Sequence, residues 1–357
     1  MGLSLNRDAA DGKGHYRIRL LALSMTALLC VTAICTQAFG AVIEGSGQMD
    51  SAVHPDPPNF SEDFSDPIQV LASRSVQTLL PTPFPGAPSL LQQYSGYATY
   101  GRISTRSLVV SELANADPSM LMPVEANAVL GLGSEDEITI ANAGPSDFLQ
   151  LDVSLSGYLR RRDFNIGNHA VAGFSVRTWD PENTEVDPIN VFEVRFNWVG
   201  LLEMEPHVAT SSDYGDSNFI AFPGEELAFS PTIGPNEEHG FGGRGYVRIP
   251  LFDLDANPVD TFKLELTAFS STTCASNSTS TCRAESNFGN TALIGNAQIV
   301  DAAGDVVPAA SFTSVSGYDY ITPPSAVPLP GALGLMLLGL PALGMMLTRP
   351  RAEITIT

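Results

Sequence analysis

Hydrophobic and polar residues alternate with a period of two through the middle and C-terminal half of the chain. In 148–159, Leu149, Leu151 and Val153 are separated by polar residues, and 191–199 and 261–269 repeat the pattern. Successive side chains of a strand point to opposite faces, so this alternation predicts strands with one buried face.

Further segments of the same kind predict additional strands at 106–111, 137–142, 171–179, 245–252, 291–300 and 311–320. Roughly ten short strands without convincing helical stretches predict an all-β fold, a two-sheet antiparallel sandwich of jelly-roll type. No period typical of solenoids or propellers repeats along the chain.

The N-terminus has the features of a secretory signal peptide. Basic residues end at Arg19, an apolar run follows, and the small-residue pattern of 38–40 closes it. This order predicts cleavage near Gly40, with Ala41 as the first mature residue, by a signal peptidase outside the cytoplasm. The alternative is an uncleaved N-terminal anchor.

The C-terminus combines three features in a fixed order. The short extended motif Val327-Pro328-Leu329-Pro330-Gly331 precedes an apolar stretch ending at Leu347, and then come Arg349 and Arg351. The prolines favour an extended backbone that suits a protease groove. The apolar stretch is at the lower length limit for a transmembrane helix, and the arginines favour a cytoplasmic end.

This tail resembles the PEP-CTERM class of sorting signals in its VPLPA-type variant, found in Gram-negative bacteria that make extracellular polysaccharide. The matching residues are Val327, Pro328, Leu329, Pro330, Arg349 and Arg351, whereas Gly331 stands where the variant usually has Ala. The resemblance implies recognition by an exosortase, a membrane protease-transferase. The alternative is a plain C-terminal membrane anchor.

A second resemblance lies upstream of the tail, in a stretch with which many exported proteins of this class end their folded part. The matching residues are Phe288, Gly289, Asn290, Thr291, Ala292, Ser316, Gly317, Asp319 and Tyr320. No activity is established for that stretch, so the resemblance implies only fold and location.

The net charge of the chain limits the kinds of molecule that it can bind. Removing residues 1–40 takes away four basic and two acidic residues, which leaves 14 basic and 37 acidic residues and a net charge of −23. Such a chain repels phosphate backbones, so nucleic acid is a poor partner. Cations and neutral glycans fit an acidic surface better.

Two cysteines, Cys274 and Cys282, lie in the part predicted to be exported, where an oxidising environment favours a disulfide. The loop between them is small and polar. A metal pair or a redox dithiol is the alternative, but there is no CxxC spacing and no neighbouring histidine.

No strong catalytic motif is present. His54, His169, His207 and His239 form no HExxH or HxH pattern, and no GxSxG elbow occurs. The sequence therefore predicts a protein that is not an enzyme. A glycoside hydrolase with two carboxylates that converge only in space is the enzymatic alternative.

Two features suggest ligands. Asp253, Asp255 and Asn257 alternate as in half of a Ca²⁺ loop, but an ordinary β-turn is the preferred interpretation of these residues, and no other cofactor is expected. Aromatic residues beside Gly- and Pro-rich turns suggest carbohydrate stacking or simple edge packing; they are Trp179, Tyr214, Phe241 and Tyr246.

The sequence thus predicts six regions: a signal peptide (1–40), a Pro-rich irregular arm (41–95), a β-sandwich domain (96–322), a linker with the sorting motif (323–330), a transmembrane helix (331–348) and a basic cytoplasmic tail (349–357). The expected function is that of an exported cell-surface or matrix protein, held in the inner membrane by its C-terminal helix until processed, with extracellular polysaccharide as a partner. A carbohydrate-binding module is the main alternative.

Overall fold

The computed structural model describes residues 41–51, 60–79, 89–112, 124–162, 168–180, 188–199, 206–214, 218–230, 238–251, 259–276, 282–288 and 292–322. The signal peptide with Gly40, the sorting motif 327–331, Arg349 and Arg351 lie outside these residues, as do Asp253, Asp255 and Asn257. The predictions made for them remain predictions.

The described residues form strands and no helix. In chain order the strands are β1 (Val42–Ser51), β2 (Phe60–Asp66), β3 (Val70–Leu79), β4 (Ser89–Thr99), β5 (Arg102–Glu112), β6 (Val124–Ala141), β7 (Phe148–Arg162), β8 (His169–Trp179), β9 (Ile189–Val199), β10 (His207–Ser211), β11 (Phe219–Ala221), β12 (Ala228–Phe229), β13 (Glu238–Pro250), β14 (Thr261–Ser276), β15 (Cys282–Asn287), β16 (Ala292–Val300) and β17 (Ser311–Ser314). Among these residues there is no helix that is both apolar and long enough to span a membrane.

Two antiparallel sheets contain these strands, which confirms the all-β prediction and fits a sandwich. Sheet A has the order β10-β9-β8-β14-β6-β1-β2, and sheet B has the order β11-β13-β7-β15-β5-β4-β3. The short β17 continues the edge of β6 beyond β1, and β16 follows β15 in the gap between β7 and β5.

The alternation read from the sequence sets the core between the sheets. Leu149, Leu151 and Val153 of β7 face inward, as do Phe192 to Trp198 at every second position of β9. Phe196 of sheet A stacks on Phe241 of sheet B with ring centroids 4.2 Å apart. Burial of these large side chains is the main stabilising term of the sandwich.

Residues 41–95 correct the prediction of an irregular arm, because β1, β2, β3 and the start of β4 lie there. The prolines that suggested irregularity lie in sequence between these strands, apart from the strand cores themselves. Proline lacks an amide donor and interrupts ladders, so it marks the connections without abolishing the strands.

The disulfide prediction is supported. Cys274 is buried on β14 in sheet A, Cys282 begins β15 in sheet B, and their Cα atoms are 5.9 Å apart. The cross-link therefore closes a crossover from one sheet to the other. A loop of this length restricts the unfolded chain by roughly 2 to 3 kcal/mol in the loop-entropy model.

Candidate functional site

A groove of ≈ 540 Å³ lies on the outer face of sheet A. Gly131 and Gly133 of β6 form its floor, and a side chain at Gly131 would project into open space. The groove exists because glycine lacks the Cβ that would fill the surface at this point.

Carboxylates surround this groove on three neighbouring strands. Glu44 of β1 and Glu265 of β14 line it, and Glu265 lies directly opposite Glu135 of β6. Lys263 Nζ lies 2.5 Å from Glu135 Oε1, and the Thr267 hydroxyl donates to Glu265 Oε1 over 3.0 Å. The pKa of Glu44 is raised, because partial burial and the charges of Glu135 and Glu265 outweigh the lowering effect of Lys263.

This arrangement presents hydrogen-bond acceptors over a floor without side chains. It can accept hydrogen bonds from a polyhydroxylated ligand, and it brings two carboxylates to one groove, as a glycoside hydrolase would require. Within the described ranges no cluster of three or more His, Cys, Asp or Glu side chains is arranged to hold a metal ion.

The aromatic candidates do not meet at one site. Trp179 lies on the outer face of sheet A, with Lys263 Nζ 5.7 Å from its ring, while Tyr246 lies on the outer face of sheet B. Phe241 is buried in the core, and the partly buried Tyr214 packs against the core. Opposite faces of a sandwich cannot form one concave aromatic patch.

The histidines are also dispersed. His169 lies 3.0 Å from the Thr273 hydroxyl, and burial lowers its pKa more than Glu125 raises it. His239 packs edge-on against Trp198 with ring centroids 4.6 Å apart, and His207 is exposed beside Asn197. His54 lies outside the described residues.

The C-terminal segment 311–322 is fixed by the buried carboxylate of Asp136, and we call this arrangement the C-terminal clasp. Asp136 accepts hydrogen bonds from the hydroxyls of Ser314, Ser316 and Tyr320 at 2.7, 2.6 and 3.1 Å. The Ser316 amide donates to its other oxygen at 3.0 Å. Burial and the nearby Asp136 raise the pKa of Tyr320 well above its ordinary value.

The clasp explains the second sequence resemblance in structural terms. Ser316 and Tyr320 bind Asp136, Gly317 makes the turn between them with φ +71°, and Asp319 caps the amides of Ile321 and Thr322. Phe288 and Ala292 are buried. These described residues therefore close the fold.

A second buried carboxylate, Glu285 of β15, lies on the outer side of sheet B beneath three arginines. Arg106 Nη2, Arg283 Nη2 and Arg160 Nη1 lie 2.7, 3.0 and 3.4 Å from its oxygens, and the Tyr158 hydroxyl donates at 2.7 Å. Burial would raise the pKa of Glu285, but Tyr158 and the arginines outweigh it and lower the pKa.

Asp136 and Glu285 were not identified from the sequence. Each accepts hydrogen bonds from residues that are distant in the sequence. Tyr320 is 184 positions from Asp136, and Arg106 is 179 positions from Glu285. Asp136 sits among other acidic residues in 135–137, and only strand pairing shows which of them faces inward.

No family model, curated protein or solved structure matches this chain.

Proposed function

We propose that this chain is an exported cell-surface or extracellular-matrix protein without catalytic activity. Signal peptidase would remove residues 1–40, and an exosortase-like membrane protease would process the tail at the motif 327–330. The predicted transmembrane segment 331–348 would hold the chain in the inner membrane until then. The resemblance of the tail to PEP-CTERM signals implies that the processed protein lies in extracellular polysaccharide.

The observation that carries this proposal is the C-terminal clasp. Tyr320 is buried and its carbonyl accepts a 2.9 Å hydrogen bond from the Ala297 amide, whereas Ile321 is exposed. The chain thus leaves the core before the predicted linker begins at residue 323. Cleavage near Pro330 would remove no buried residue of the described domain.

Two further observations agree with export. Ile43 of β1 is fully buried, so predicted cleavage near Gly40 leaves the first strand whole. The Cys274–Cys282 cross-link belongs to an oxidising compartment. The jelly-roll classification remains a prediction.

The test is the intact mass of the protein recovered from the native cell envelope and medium. The wild type should lack the residues beyond about Pro330, with or without an added glycan mass. Replacing Val327, Pro328, Leu329 and Pro330 by alanine should leave the C-terminus intact. The control, Pro323→Ala with Pro324→Ala, removes two nearby prolines outside the motif and should be processed normally. An intact C-terminus in all three would refute the proposal.

A second candidate function is glycan binding in the groove over Gly131 and Gly133. The bare floor and the acceptors around it favour a neutral polyhydroxylated ligand. Gly131→Leu should fill the groove and abolish retardation in gels that contain a neutral β-glucan. Val129→Leu, at the next outward position of β6, is the control and should leave retardation unchanged. Turnover of that glucan by the wild type would instead support the hydrolase alternative.

A further inference from the structure

Two aromatic side chains lie on the outer face of sheet A, one at each end of a polar surface. Phe269 of β14 lies between Gly131 of β6 and Gly173 of β8. Trp179 of β8 lies opposite Lys263 of β14, and both rings are partly exposed. Six residues separate the two positions along these neighbouring strands, which corresponds to about 20 Å.

The ring of Phe269 leans over Gly173. A Cβ atom at Gly173 would lie 2.2 Å from Cε1 of this ring, so glycine is needed here for the ring to lie close to the backbone. The Cζ atom of Arg195, which lies opposite Gly173 on β9, is 5.9 Å from the centroid of the same ring. Because the ring turns toward β8 and β9, it does not fill the space above Gly131.

The groove on the outer face of sheet A occupies the surface between the two rings. It begins beside Phe269, and Thr267 and Glu265 line it in the direction of Lys263. The Nζ atom of Lys263 in turn lies 5.7 Å from the centroid of the Trp179 ring. The ring of Phe269, the groove and the ring of Trp179 therefore follow one another along β14 and β8, and we call this surface the sheet A track.

We propose that the sheet A track binds the interior of a linear, neutral polysaccharide chain. This inference rests on the glycan binding proposed for the groove and extends that site to both rings. Sugar rings have apolar C–H faces that stack on aromatic side chains, and their hydroxyl groups donate hydrogen bonds to carboxylates. The track offers these contacts in the order aromatic, polar, aromatic.

The carboxylates of the track favour a neutral chain over an anionic one. Five carboxylates and two cations lie between the rings on the outer face of β1, β2, β6, β8 and β14; they are Glu44, Asp63, Glu135, Glu137 and Glu265, and Lys263 and Arg177. Lys263 is already paired with Glu135. The excess of negative charge repels a polyuronate, whereas neutral hydroxyl groups can donate to these carboxylates.

The cations beside the two rings disfavour a cationic chain. Arg195 lies beside the ring of Phe269, and Lys263 lies beside the ring of Trp179. A protonated amino sugar that stacked on either ring would meet a like charge there, which is unfavourable. A neutral sugar meets no such repulsion at the rings or at the carboxylates between them.

The track is open at both ends of β14, so it fits the interior of a chain and not its terminus. The outward positions past the two rings are Ser271 and Thr261, whose side chains are too small to close it. A chain that contacts both rings must span about 20 Å. The affinity should therefore rise with chain length until both rings are covered.

The experiment is isothermal titration calorimetry of the exported protein with neutral β-gluco-oligosaccharides of increasing length. The affinity of the wild type should rise until the oligosaccharide spans about 20 Å and then level off. Phe269→Leu and Trp179→Leu keep apolar bulk on the sheet but remove the ring, so each should weaken binding of the longest oligosaccharide about threefold to tenfold. Trp179→Leu should leave the affinity for the shortest one unchanged, because a short chain in the groove does not reach that ring.

Phe222→Leu is the matched control, because Phe222 is a partly exposed aromatic residue on the opposite face, beside Arg244 and Tyr246. It should leave every affinity unchanged, and thermal melting verifies that all variants are folded. Wild-type binding that Trp179→Leu does not weaken at any length would overturn the track and leave the groove site standing. An absence of binding at every length would overturn both. Tighter binding of glucosamine or uronate oligosaccharides than of neutral ones would overturn the assignment of a neutral chain.

Discussion

Asp136 in sheet A and Glu285 in sheet B are both fully buried carboxylates, yet their partners differ. Asp136 is surrounded by hydroxyl and amide donors from the C-terminal clasp, and no described ion pair reaches it. Glu285 is surrounded by Arg106, Arg160 and Arg283, together with the Tyr158 hydroxyl. The first is satisfied by neutral dipoles and the second by opposite charge.

The difference matches the different tasks of the two groups. Glu285 joins β5, β7 and β15, which are already neighbours in one sheet, and it neutralises cations that would otherwise repel one another. Asp136 joins β6 to a segment with little regular structure, which has few ladder hydrogen bonds of its own. A carboxylate can accept several hydrogen bonds at once, so one residue can fix a whole turn.

The largest effect is expected for Glu285→Gln. The neutral amide would leave Arg106 and Arg283 without their counter-charge and Arg160 with Glu238 alone, which should lower the free energy of unfolding by about 3 kcal/mol. Urea unfolding of the wild type and the variant measures this difference. The urea dependence of the free energy should stay the same, since the surface exposed on unfolding is unchanged.

Glu238→Gln is the matched control for this prediction. Glu238 pairs with Arg160 at the margin of the same arginine cluster, but both side chains are about a quarter exposed. Partly solvated pairs contribute little, so a loss of about 1 kcal/mol or less is expected. Equal losses for the two variants would show that burial does not distinguish Glu285.

Asp136→Asn should have the next largest effect. The amide can still accept through its oxygen, but its NH₂ group would face donors, and a loss of roughly 2–3 kcal/mol is expected. The segment 311–322 should also become accessible, so limited proteolysis should cut there before the rest of the domain. Glu285→Gln should not produce this early cut.

Asp319→Asn is the control for the clasp. The Asp319 carboxylate accepts hydrogen bonds from the amides of Ile321 and Thr322 and from the Thr322 hydroxyl. Because this turn is exposed, water can replace these partners. Its loss should therefore lower the free energy of unfolding much less than the loss of the Asp136 carboxylate does. If it released the segment as readily as Asp136→Asn, the buried carboxylate would not be what holds the clasp.

The same contrast explains how much the sequence could predict. Alternation in β7, β9 and β14 identified inward residues correctly, because burial of one face acts residue by residue and leaves a local pattern. The roles of Asp136 and Glu285 left no local pattern, because their partners come together only when the sheets form. Strands β1 and β2 were missed because prolines between strands resemble prolines within an irregular segment.

The groove over Gly131 and Gly133 likewise could not be predicted from a local sequence pattern. Gly131 and Gly133 lie in a strand that reads as an ordinary apolar run, and Glu44 and Glu265 are far apart in the sequence. Only the pairing of β1, β6 and β14 brings them to one face. Conversely, the disulfide could be predicted because the part predicted to be exported contains just two cysteines and its environment is oxidising.

Glu285 and Tyr320 should lose their stabilising contributions at opposite ends of the pH range. The pKa of Glu285 is lowered from about 4.5, so its stabilisation is present above that pH and is lost as the pH falls through the lowered value. The pKa of Tyr320 is raised well above 10.0, so its contribution is present below pH 10 and is lost only as the pH rises through the raised value.

Unfolding measured from acid to alkaline pH checks this prediction. The stability difference between the wild type and Glu285→Gln should shrink below pH 4.5, whereas the difference for Tyr320→Phe should shrink in strong alkali. Parallel pH profiles for the two variants would contradict the assignment of charge to one site and neutral dipoles to the other.

The smallest effects compare the two tyrosines. Tyr320→Phe removes one of the neutral donors on which Asp136 depends, and a loss of about 1.5–2 kcal/mol is expected for a bond to a charged acceptor. Tyr158→Phe removes a donor from Glu285, where the three arginines still donate, so a loss below about 1 kcal/mol is expected. Both substitutions keep the ring and its packing, so urea unfolding isolates the hydroxyl. In the double variant with Asp136→Asn, the cost of Tyr320→Phe should largely disappear, because the hydroxyl acts through that carboxylate. A larger loss for Tyr158 than for Tyr320 would mean that the arginines do not compensate, and that both carboxylates depend on each donor in the same way.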